Sequence, residues 1–150
     1  MVNMKFYYDS LSYNNVVSKR YLVNSDLVES AEKDFLTGLS KVGYKIKGPL
    51  TYYIEAANKE KFYITFLIQT YNSLKIKGTS YEYSSYYGLG DTICVRIKAD
   101  KLKDYQNIYQ EMKEFCMKDN LKVVTPMFFS LGNNNDKEFY YIISCGVYLS

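Results

Sequence analysis

A single offset of 77 residues lays one half of this chain on the other without a gap, and a chain made of two copies of one unit has few folds open to it. Val16 and Val17 fall on Ile93 and Cys94, Val28 on Tyr105, Ala31 on Ile108, Phe35 on Met112, Leu39 on Cys116 and Gly43 on Asn120. Pro49 falls on Pro126, the only other proline, and Ile54 on Leu131. The triplet Lys61-Phe62-Tyr63 falls on Glu138-Phe139-Tyr140.

Each copy opens with a strand, Asn15 to Leu22 and Asp91 to Lys98, where β-branched and aromatic residues mix with polar ones. A helix follows in each. The first is predicted from about Asp26 to Val42, with Ser25 or Asn24 as cap, Asp26 and Glu29 at its positive end, and Val28, Phe35, Leu39 and Val42 at helical spacing. Gly43 stops it. The second is predicted from about Lys101 to Lys118, with Asp100 as cap, Tyr105, Ile108, Met112, Phe115 and Cys116 on one face, and Asn120 as terminator. Two strands come after each helix: Tyr44 to Ala56 with Lys61 to Tyr71, and Leu121 to Leu131 with Lys137 to Tyr148. Their connectors, Ala57 to Glu60 and Gly132 to Asp136, carry the Gly, Asn and Asp of hairpin turns.

The expected fold is therefore α+β: a tandem β-α-β-β repeat with a pseudo-twofold, an antiparallel sheet and two helices packed on one face of it. The chain, 150 residues, is expected to be one domain, with repeat one at about 1–72, repeat two at about 80–150, and Asn72 to Gly90 as a Tyr, Ser and Gly-rich linker. A ligand would sit in the groove between the helices or on the opposite concave face.

Composition narrows the chemistry. There is no histidine, which excludes Ser-His and Cys-His nucleophile pairs, His-ligated metals and imidazole acid–base steps. Cys94, Cys116 and Cys145 are widely spaced in apolar settings and read as buried thiols, neither a disulfide framework nor a metal site, and no cofactor is expected. The net charge of +3 comes from lysines scattered among acids, so neither nucleic acid nor a membrane is an expected partner. The start, MVNMKFYYDSLS, lacks a signal-peptide pattern, and the expected location is the cytoplasm. Gly88-Leu89-Gly90 is too short for a phosphate loop and reads as a turn. Ser80 to Gly90 has the Tyr, Ser and Gly mixture of recognition loops, beside the plainer reading of a linker with an edge strand. Eighteen tyrosines point to an aromatic-walled cavity or contact surface, because a buried phenol needs a partner for its hydroxyl.

Gly43-Tyr44-Lys45-Ile46-Lys47-Gly48-Pro49, just after an amphipathic helix, resembles the turn and strand of the GyrI-like family, which includes gyrase-inhibitory proteins and effector-binding domains of multidrug-sensing regulators. Leu89-Gly90-Asp91-Thr92-Ile93 is similar to the family's glycine-led strand, and Pro126-Met127-Phe128 to its Pro-x-Phe strand start. The resemblance spans about residues 15 to 148 and implies a bacterial, duplicated strand-helix-strand-strand domain. In drug-sensing members a Glu follows Pro-x-Phe and pairs with cationic hydrophobic ligands; Phe129 stands there in this chain, which keeps an aromatic cage and lacks its anion.

The expected function is non-catalytic binding of a small hydrophobic or aromatic molecule, by a GyrI-like domain without its own DNA-binding domain. Tyr52, Tyr63, Phe129 and Tyr140 are the expected lining, paired by the 77-residue offset, with Glu55 as the nearest anion. A protein-interaction module or accessory inhibitory factor is the alternative. A GyrI-like hydrolase using Glu55 or Glu82 with a Tyr is the third reading.

Overall fold

The computed structural model describes residues 5–98, 105–133 and 139–149. Among them the fold is α+β, with two α-helices, seven strands and antiparallel pairing. In chain order these are β1 (Phe6–Val23), α1 (Val28–Val42), β2 (Thr51–Ala56), β3 (Phe62–Gln69), β4 (Glu82–Lys98), α2 (Tyr105–Lys118), β5 (Leu121–Val123), β6 (Phe128–Asn133) and β7 (Phe139–Leu149). The chain forms two compact units, Ser12–Gly88, and Met1–Leu11 with Leu89–Ser150. The long strands β1 and β4 contribute residues to both.

In the Ser12–Gly88 unit Asn24 caps the turn before α1, its side-chain oxygen accepting from the Asp26 N–H at 3.1 Å, and Leu27 at the helix start itself makes no side-chain cap bond. One 3₁₀ turn, Ser25–Leu27, leads into the helix. Gly43 ends it in the left-handed conformation at φ 101°, where glycine meets no Cβ penalty, and Tyr44 N–H closes onto the Leu39 carbonyl at 3.0 Å. Ala31, Phe35 and Leu39, four residues apart, form the buried stripe. They pack on Val17 and Val23 of β1 and Ile64, Phe66 and Ile68 of β3, with Phe35 stacked on Phe66 at 5.6 Å.

Three expectations change here. The strand expected from Tyr44 begins only at Thr51: the N–H groups of Lys47 and Gly48 both go to the Gln69 carbonyl, and Pro49 has no N–H to offer a ladder. The run Ser80 to Gly90 is mostly strand β4, and Tyr81 just before it is a core residue, 5% exposed, whose hydroxyl donates to the Phe35 carbonyl at 3.0 Å. Finally, β1 runs well beyond the predicted Asn15, through a kink at Asn15 itself, which has φ 55°. Its carbonyl accepts from Thr70 N–H at 2.9 Å, and its side-chain oxygen accepts from the Tyr83 hydroxyl at 2.6 Å.

The other unit follows the same strand-helix-strand-strand order. Ile108, Met112 and Cys116 of α2 are buried at four-residue spacing, and Ile143, Cys145 and Val147 of β7 are buried on alternate positions. The Cys145 thiol meets the Met112 sulfur at 3.5 Å. All three cysteines are free and buried. The strand expected over Leu121 to Leu131 is broken into β5 and β6, because Thr125 turns its hydroxyl to the Gly146 N–H at 2.7 Å and Pro126 follows. The proposed Asp100 cap and most of the 132–136 connector lie outside the described residues.

Positions 77 apart occupy matching places in most elements: Gly43 and Asn120 both have positive φ after a helix, and Thr51 lies opposite Leu67 as Phe128 lies opposite Ser144. The first strands depart from this. Val17 lies opposite Ile68 and Ile93 opposite Cys145, so Val17 matches Ile93, one residue short of the gapless alignment. The reason is side-chain parity: a slip of one residue turns every side chain of a strand to the other face, and the gapless register would place Cys94 where Val17 meets the helix.

Candidate functional site

The three-stranded part of the Ser12–Gly88 unit has one face against α1 and one face away from it. Alternation along the strands assigns each residue to a face. Tyr52 lies opposite Phe66 and packs against the helix-side core, with its ring 6.2 Å from that of Phe66. Tyr53 and Glu55 point the other way. On that second face three cross-strand rows follow from the register: Ser18, Leu67 and Thr51; Arg20, Thr65 and Tyr53; Leu22, Tyr63 and Glu55.

This face is rich in phenols. The Tyr13 hydroxyl lies 3.4 Å from that of Thr51. Burial pushes the Tyr87 phenol up to about 12, with Tyr53, the Glu55 carboxylate and Tyr13 adding to the rise. The Arg20 guanidinium lies over the Tyr63 ring at 4.6 Å. In the row of Arg20 and Tyr53, the Thr65 hydroxyl is buried and makes no hydrogen bond, and Thr65 as a residue is 6% exposed. A buried hydroxyl without a partner costs about 1–3 kcal/mol.

The expected lining is therefore divided between faces. Tyr63 and Glu55 are cross-strand partners on the phenol-rich face. Tyr52 belongs to the packing side. In the other unit Phe129, opposite Ile143, lies on the face that carries Cys145 and meets α2, whereas Tyr140 lies on the opposite face with the Arg96 guanidinium 3.6 Å over its ring. Near it, burial raises the Tyr7 phenol, Cys94 and Asp9 add to the rise, Arg96 opposes it and Tyr140 adds to it. Glu82, the other carboxylate considered for acid–base chemistry, is exposed at the start of β4. The residues missed from sequence are Tyr13, Tyr53, Tyr87, Arg20 and Thr65; strand parity around Glu55 was the available signal for Tyr53.

Among the described residues no group of three His, Cys, Asp or Glu is arranged to hold a metal, and no helix is long and apolar enough to cross a membrane.

Comparison with known proteins places the fold. The chain superposes on the crystal structure of the EcmrR C-terminal domain with a TM-score of 0.75 at 15% identity, covering 99% of this chain and 100% of that one. The cryo-EM structure of the EcmrR-DNA complex in EcmrR-RPo gives the same score and identity, over 98% of this chain and 58% of that longer one. A hydrolase from Listeria innocua matches with a TM-score of 0.56 at 10% identity, over 94% and 91% of the two chains. At these identities the likeness is one of fold. No curated protein matches the chain. A family model spans residues 12–148, and by that match the chain belongs to DUF5085, a domain of unknown function.

Proposed function

We propose that this protein binds a small hydrophobic or aromatic molecule on the phenol-rich face of the Ser12–Gly88 unit, as a non-catalytic effector-binding domain of the GyrI-like type. The observation that carries the reading is the buried, unpartnered Thr65 hydroxyl in a row with Tyr53 and Arg20. Tyrosines flanking such an atom offer ring faces for stacking and leave one polar atom to orient the ligand, the usual division of labour in small-molecule sites. Tyr63 and Glu55 complete the wall. The fold shared with the EcmrR C-terminal domain supports the reading.

A thermal-shift screen against aromatic anions, cations and neutral compounds tests it. A ligand at 100 times its dissociation constant adds about 2.7 kcal/mol, or roughly 5–10 °C for a chain of this size. The proposal requires a dose-dependent rise for one class, reduced in Tyr53→Ala. No rise with any class, or a rise untouched by Tyr53→Ala, contradicts it.

A further inference from the structure

We infer that the ligand of this face is a planar aromatic carboxylate and that Arg20 recognises its charge; this rests on the binding reading above and adds the ligand's class. The chain contains only two arginines, Arg20 and Arg96, and every other basic residue is lysine. Both arginines occupy the same place in their units. Arg20 lies opposite Thr65 in β3 and Arg96 opposite Ile142 in β7, each on the face away from the helix. Each guanidinium lies over a tyrosine ring, Tyr63 at 4.6 Å and Tyr140 at 3.6 Å. Both side chains are exposed, and among the described residues neither is ion-paired.

A lysine at these places would supply charge. An arginine supplies more: a planar guanidinium stacks on a ring face and presents its N–H groups as a fork that fits a carboxylate. The ring beneath holds the fork in one orientation. At Arg20 the next group in the row is the unpartnered Thr65 hydroxyl, whose O–H needs an acceptor. A carboxylate that displaces the side chains covering this hydroxyl accepts from both at once. An ammonium would meet repulsion from Arg20 and leave the fork empty. Beyond Thr65 in the row, the Tyr53 ring offers a stacking surface for the ligand's own ring. Glu55, opposite Tyr63 in the adjacent row, repels an anion from its side and directs the carboxylate to the Arg20 end. In the other unit Ile142 stands where Thr65 does, so Arg96 lacks the neighbouring hydroxyl and the Arg20 place is preferred.

Calorimetric titration of the full chain with 2-naphthoate, 2-naphthylmethylammonium and 2-naphthalenemethanol, which share one ring system and differ in charge, tests this. The naphthoate should bind about tenfold or more tightly than the alcohol, the worth of a charge-assisted hydrogen bond. Arg20→Lys and Thr65→Val should each lose most of that advantage, and Arg96→Lys should change naphthoate binding by less than about threefold. Thermal midpoints of the variants confirm that they fold. Equal or tighter binding of the ammonium or the alcohol, or naphthoate affinity unchanged in both Arg20→Lys and Arg20→Gln, overturns the inference. Absence of binding by all three probes overturns the ligand-binding reading on which it rests.

Discussion

Alanine at Gly38 should destabilise the protein, although alanine is the better helix former. In an exposed helix interior this exchange adds about 1 kcal/mol. Here the new Cβ would collide with the hydroxyl oxygen of Tyr81 and lie 3.3 Å from its Cζ. The oxygen is held by its hydrogen bond to the Phe35 carbonyl at 3.0 Å, and the ring is fixed between Phe35 at 5.7 Å and Tyr44 at 6.2 Å. Displacing it loses a hydrogen bond worth about 0.5–1.5 kcal/mol and overpacks a dense core at about 1–3 kcal/mol, so Gly38→Ala should cost about 1–3 kcal/mol net. Tyr81→Phe alone should cost about 1 kcal/mol. In the double variant the colliding oxygen is gone and the helix gain remains, which should return stability to within about 0.5 kcal/mol of the parent. The cycle therefore predicts a favourable coupling of about 2–4 kcal/mol, measurable from urea denaturation followed by far-UV circular dichroism. Additivity within about 0.5 kcal/mol, or a Gly38→Ala protein more stable than the parent, refutes the role assigned to Tyr81.

Thr65→Val removes the unpartnered hydroxyl at constant shape and should stabilise the free protein by about 1 kcal/mol in the same denaturation assay; a loss of stability would show the hydroxyl to be satisfied. The Cys145 thiol and the Tyr87 phenol are each pushed by burial up to about 12, above unfolded values of about 8.5 and 10. The folded state thus keeps protons that the unfolded chain releases, so their contribution is complete below about pH 8.5 and is lost as pH rises toward 12. The urea midpoint should be level near neutrality and fall above about pH 9, less steeply at first in Cys145→Ala, and a midpoint flat to about pH 11 contradicts this. Because burial raises all three thiols, none should react with a disulfide reagent at neutral pH until urea unfolds the chain; rapid reaction of the native protein would place a thiol at the surface. In Gly43→Ala the new Cβ would make only an ordinary contact, with Ile76 Cδ1 at 3.6 Å, yet φ is 101°, so the change should cost about 1 kcal/mol from backbone strain, read from the same urea midpoint; no loss would mean that the helix end relaxes.

Most of the architecture was legible because local signals and spacing agreed. Asn24, the Ala31-Phe35-Leu39 stripe and Gly43 each state a start, a face or an end of α1. What was not legible depended on partners distant in the chain. Nothing in Ser80-Tyr81-Glu82 announces a core residue, since Tyr81 is buried through Phe35, 46 positions away. The one-residue slip of the first strands is invisible to an alignment scored on apolar character, since Ile93 and Cys94 are both apolar and only one of them lies where Val17 does. For the site, Tyr63 was named from its 77-residue pairing with Tyr140 and Glu55 as the nearest carboxylate, and the two are cross-strand partners. Tyr52 was named where its neighbour Tyr53 faces the same side as Glu55, because the phase of the strand is fixed by pairing with β3 and the segment itself, Thr51-Tyr52-Tyr53-Ile54, lacks a clean alternation. Thr65 could not be found at all from sequence, for an unsatisfied hydroxyl is a property of its surroundings.

If the phenol-rich face of the Ser12–Gly88 unit receives the ligand as proposed, tyrosine ring signals report on it directly. In protein carrying ¹³C-labelled tyrosine rings, assigned by single Tyr→Phe variants, titration with 2-naphthoate should move the signals of Tyr53, Tyr63 and Tyr87. Tyr44 and Tyr81, buried on the helix side, should stay in place. Movement at Tyr44 and Tyr81 without the other three, or no movement at any of the five, would contradict the account.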